Sequence, residues 1–142
     1  MDLVGGNHES HSKGEAFVDL RTNPPTGMNK SDFYDLTDQT ITCWVYAPTG
    51  SGGAPDSLNG FQIFVKDAGD KSEYGTWHNI EQENTWFPIT LTPSTQGSGG
   101  VFIDPGFDPA RIVRLGVLIG AGGRSTDQVK YSGPIYIDAC NW

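Results

Sequence analysis

Hydrophobic and polar residues alternate with a period of two along several short stretches, the spacing of strands that bury one face. In 15–21, Ala16, Val18 and Leu20 alternate with Phe17 and Asp19. The clearest case is QTITCWVYAP, where Ile41, Cys43 and Val45 point one way and Thr42, Trp44 and Tyr46 the other, before Pro48 ends the run. FQIFVKD sets Phe61, Ile63 and Val65 against Gln62, Phe64 and Lys66, and TWHNI sets Ile80 and His78 against Trp77 and Asn79. WFPITLT opposes Phe87, Ile89 and Leu91 to Trp86, Pro88, Thr90 and Thr92; a proline there predicts an edge strand or a bulge. IVRLGVLIG offers Val113, Leu115, Val117 and Ile119 as a core face, and PIYIDACNW closes the chain as a last strand.

Between these runs lie breakers. TNPPTGMNKSD, TGSGGAPDSLNG, STQGSGG and AGGRSTDQVKYSG are turn and loop material. FDPARI predicts one helical turn, capped by Asp108 with Pro109 in its first turn. The pattern therefore predicts an all-β chain of about eight short strands in two packed antiparallel sheets, a β-sandwich. Residues 15–142 form its single domain and residues 1–14 a poorly structured N-terminal segment.

Composition narrows the function. The 142 residues suit one core, and Gly 19 and Pro 9 suit many short strands joined by turns. The formal charge is −8, and the nine cations are scattered along the chain. That argues against nucleic acid, whose binding draws on clustered lysine and arginine. No apolar run approaches the roughly 20 residues of a membrane span, and the first residues lack the basic and apolar regions of an export signal. Cys43 and Cys140 sit in no CxxC or Cys/His cluster. Joined, they would close a long loop and stabilise the fold by on the order of 4 kcal/mol; two buried free thiols are the alternative, and Cα separation decides between them.

TITCWVYAP, FQIFVKDAGDKSEYGTWHNI, FDPARIVRLGVLIG and YSGPIYIDACNW, in that order, resemble the β-jelly-roll carbohydrate-binding modules of bacterial cellulases, mannanases and related plant-cell-wall hydrolases. The likeness covers nearly the whole chain beyond Glu15. It implies a jelly roll that is not an enzyme, a secreted monomer once fused to a glycoside hydrolase, with a polysaccharide as partner and no membrane contact. It also implies a structural calcium ion near Asp138, with Glu15 or Asp19 as partner ligands. Calcium takes six to eight oxygens, many of them backbone carbonyls, and a solvated strand-end Asp138 is the alternative.

A pyranose offers C–H bonds on its faces and hydroxyls on its rim, so a surface that binds it needs flat rings bordered by amides, carboxylates or ammonium groups. YGTWHNIEQENTW has that make-up. Trp77 and Trp86 are the candidate stacking rings, Tyr74 and Tyr131 flank them, and Gln62, Lys66, Asn79 and His78 are candidate hydrogen-bonding groups. Trp44 and Trp142 read instead as rings that close the ends of the core. Two or three such rings predict binding near −8 kcal/mol or weaker, the micromolar range. The preferred ligand is a β-1,4-glucan chain (cello-oligosaccharides, mixed-linkage glucan or xyloglucan) held in a groove, with mannan next. A rival reading makes Asp104 and Asp108, or Asp67, Asp70 and Glu73, the carboxylate pair of a small hydrolase. Both sets fall in turns, where aspartate also serves local backbone hydrogen bonds. A protein-binding adhesion domain of the same fold is the third possibility.

Overall fold

The computed structural model describes residues 13–96, 102–122, 131 and 133–142. Its larger sheet has the order β1 (Lys13–Asp19), β9 (Ile112–Gly120), β5 (Gly60–Asp67), β6 (Ser72–Tyr74), and β7 (His78–Asn79) pairs with the other end of β5. The smaller sheet is β10 (Tyr136–Asn141), β2 (Ile41–Ala47), β8 (Thr85–Leu91). Every pairing is antiparallel. The chain is thus all-β, and its two sheets press their apolar faces together.

Strand alternation chose those faces. Phe61, Ile63, Val65, Leu115, Val117 and Ile119 from the larger sheet meet Ile41, Cys43, Val45, Ile89 and Leu91 from the smaller one in a single buried cluster. Phe61 and Phe87 touch between the sheets with centroids 6.4 Å apart. On β9 a register shift between the pairs Lys66↔Arg114 and Asp67↔Ile112 brings Ile112 into the core cluster, which Val113 does not join. Pro88 lies on β8, at the edge of its sheet, where a missing N–H breaks no ladder.

Strands too short to show a period were invisible in the sequence. The hairpin of β3 (Gly53–Ala54) and β4 (Ser57–Leu58) lies in what reads as pure turn, and β6 lies in the acidic loop. β1 begins at Lys13, paired with Gly120, two residues before the expected boundary at Glu15; the rest of the N-terminal segment, 1–12, lies outside the described residues. The expected helical turn is present as Pro109–Arg111, with the Asp108 carboxylate accepting from the Ala110 N–H at 3.1 Å.

Cys43 and Cys140 form a disulfide. A bulge lets them meet: Asp138 pairs with Trp44 and Asn141 with Thr42, so Ala139 and Cys140 together face Cys43. Ala139 takes a positive φ of 47° at this point. The bond ties the edge strand β10 to the middle of the smaller sheet.

Candidate functional site

Side chains that alternation turns away from the core stand on the two outer faces, and the expected site residues divide between them. Trp77, Gln62 and Asn79 share the outer face of the larger sheet. Register fixes this, because Gly60 pairs with both Asn79 and Gly120, and Gln62 pairs with Leu118. Two strands side by side thus present glycines at one level, and the sheet there carries no side chains. The Trp77 indole lies against that bare strip, so closely that a Cβ on Gly60 would meet its Cε2 at 2.5 Å. The result is an open groove of about 550 Å³. Leu118, Gln62, Trp77 and Asn79 line it together with Lys13 and the hairpin residues Pro55 to Leu58.

The groove's polar groups are held in place. The Trp77 Nε1–H donates to Asn79 Oδ1 at 2.9 Å, which fixes the indole and commits its only donor, leaving the ring face as the surface it offers. Trp77 remains 37% exposed. Gln62 Nε2 donates to the Gly75 carbonyl at 2.6 Å, which orients the amide and leaves its oxygen as acceptor. The buried Asn59 ties the hairpin side to the end of β9: its Nδ2 donates to the Ser51 carbonyl at 2.9 Å, and its Oδ1 accepts from the Gly122 N–H at 3.1 Å. Lys13 and Asp56 bring one charge of each sign, so the groove suits an uncharged ligand.

Other expected contacts fall elsewhere. Trp86 is 42% exposed as expected, but it stands on the outer face of the smaller sheet, opposite Tyr46, so it cannot share the groove with Trp77. Alternation tells in from out and not which sheet a strand joins. His78 pairs with the core residue Phe61 and turns to the inner side. Tyr131 is 8% exposed within the core cluster, and its hydroxyl donates to the Pro134 carbonyl at 2.8 Å; it does not line the groove.

Tyr74 and Lys66 occupy the groove's sheet face but belong to a separate lattice. The Tyr74 ring covers Phe64 at 5.4 Å, and its hydroxyl donates to Glu15 at 2.7 Å. Lys66 lies 3.8 Å from the same carboxylate. Burial, then the bond to Glu15, pushes the Tyr74 phenol up to about 12. Trp44, expected at a core end, is an outer-face residue at 39% exposure, whereas Trp142 packs against the core as anticipated.

The expected calcium ligands do not converge. Asp19 is paired with Arg21 at 2.7 Å, and that hydrogen bond holds its carboxyl down to about 2. Glu15 is engaged by Tyr74 and Lys66, while Asp138 projects from the other sheet beside Trp44. Among the described residues no group of three or more His, Cys, Asp or Glu side chains is placed to hold a metal.

Four of the five carboxylates of the hydrolase reading serve the backbone, and Asp70 pairs with an arginine. Asp67 accepts from the N–H groups of Gly69, Lys71 and Asp108, Asp104 from that of Ser72, and Asp108 from that of Ala110. Glu73 is fully buried and accepts from the Ser94 N–H at 3.0 Å, and Asp70 faces Arg114 at 3.5 Å. Sequence reasoning missed the hairpin residues Asp56 and Ser57, and the glycine pair beneath the indole; paired glycines on neighbouring strands carry no signal until the register is known.

No known family model matches the chain, and none of the curated proteins compared with it matches either.

Proposed function

We propose that this chain is a non-catalytic carbohydrate-binding module that holds a β-1,4-linked glucan chain in the groove on its larger sheet. One observation carries the reading: an exposed indole, anchored through its N–H, borders a groove whose two charges, Lys13 and Asp56, are of opposite sign, with oriented amides at its side. A sugar ring stacks its C–H face on Trp77 while its hydroxyls reach the Gln62 oxygen and the Asn79 amide. One well-exposed ring in the groove, in place of two, supports micromolar or weaker affinity. The capping duties of Asp67, Asp104 and Asp108 favour binding without hydrolysis. The disulfide supports an oxidising, extracellular setting.

Electrophoresis through gels containing hydroxyethylcellulose, xyloglucan or glucomannan tests the reading. Retardation by the first two is expected, with weaker or no retardation by glucomannan. Retardation by glucomannan alone makes the ligand a mannan, and unchanged mobility in all three ends the proposal.

A further inference from the structure

The outer face of the smaller sheet carries a second set of rings with no part in the groove. Register places Trp86, Tyr46 and Tyr136 side by side on β8, β2 and β10. Tyr46 lies 5.3 Å from Trp86 and 6.0 Å from Tyr136, centroid to centroid. Trp44 stands on the same face, two residues along β2. Tyr136 is 51% exposed. Rings that served only to close the core would not stand out to this extent on the side away from it.

Charge says what such a face accepts. The chain as a whole is at −8, yet Asp138 is the single side chain charged at neutral pH that β2, β8 and β10 turn outward. Hydroxyls and an amide border the rings: Thr49 donates to Asn84 Oδ1 at 3.0 Å, and the Tyr46 hydroxyl points to the same oxygen at 3.4 Å. Rings edged by neutral polar groups complement an uncharged ligand with apolar faces and a hydroxyl rim. The rings are tilted 52° and 60° to one another, so they form a fluted strip and not a plane. A flat crystalline surface finds no matching platform there, whereas a single flexible chain can present successive rings to it.

We infer that the Trp86–Tyr46–Tyr136 strip is a second glycan-binding surface, on the opposite side of the sandwich from the groove, for single chains of neutral β-linked hexopyranose. The ligand class follows from the reading of the groove; the location does not. A module with sites on both sides joins two polysaccharide chains.

Isothermal titration with cellohexaose separates the two claims. The Trp77→Ala protein is expected to keep one class of site, which Trp86→Ala lowers at least about tenfold in affinity. Tyr136→Ser, at an exposed edge, gives the same loss without touching a tryptophan, and melting curves verify the fold of each variant. If folded Trp77→Ala binds nothing, the strip is not a glycan site and the groove reading stands. If Trp77→Ala binds as wild type and Trp86→Ala abolishes binding, the strip is upheld and the groove reading falls. Residual binding indifferent to both strip variants overturns the inference, and so does a dimer in sedimentation that Trp86→Ala dissolves, which makes the strip a contact between copies. Absence of any binding by the wild type overturns both claims.

Discussion

At the scale of single residues, the groove depends on a missing side chain as much as on a ring. Gly60 lets the indole of Trp77 lie on the strand; a methyl there would collide with that ring and with the His78 carbonyl oxygen. Gly60→Ala is therefore expected to displace Trp77, to weaken glucan binding about tenfold or more, and to cost about 1–3 kcal/mol of stability through overpacking. Urea unfolding with affinity electrophoresis of the same variant checks both parts, and an unaltered protein would show that the indole has another resting place. Asn79→Ala removes the acceptor that holds the Trp77 N–H and should weaken binding several-fold while leaving the melting temperature nearly unmoved. The exposure of Trp77 and Trp86 was readable from the chain, since both fall at positions alternating with core residues, whereas Trp44, read as closing a core end, is exposed on the outer face. The environment of Tyr131 was not readable, because a tyrosine between loop signals gives no period.

At the scale of elements, the longer strands were legible because β2 and β8 alternate over seven residues, while β5 and β9 stand out as long, largely apolar runs bounded by turn residues. Pairs of residues that make a ladder only through their neighbours, as in β3 and β4, leave no such trace. The disulfide was one of two open readings, settled by a bulge that no pattern announces. Its partners lie 97 residues apart, so reduction or the Cys43→Ser, Cys140→Ser double variant should lower stability by about 2–5 kcal/mol in denaturant titrations. β6 and β1 are joined across the sheet face by Tyr74 and Glu15. The phenol's proton is held more tightly in the folded chain, so its stabilising effect is complete below pH 10 and declines as pH rises toward about 12. Tyr74→Phe should flatten the alkaline fall in melting temperature over that window, and an equally steep fall would assign it to other groups.

At the scale of the whole molecule, the division of rings between two sheets changes what the sandwich can do. Read as a sequence, YGTWHNIEQENTW places two tryptophans in one polar stretch and invites a single site. The fold sends Trp77 to the larger sheet and Trp86 to the smaller, because β7 joins β5 while β8 joins β2. The groove is open and bordered by only one exposed indole, so affinity should fall little with salt, as expected when hydrogen bonds and stacking act on a neutral ligand. Titration of cellohexaose into the wild-type chain and into Trp77→Ala tests the groove most directly. The account predicts that the substitution lowers affinity at one site about tenfold or more with the melting temperature preserved, and indistinguishable titrations of the two folded proteins would contradict it.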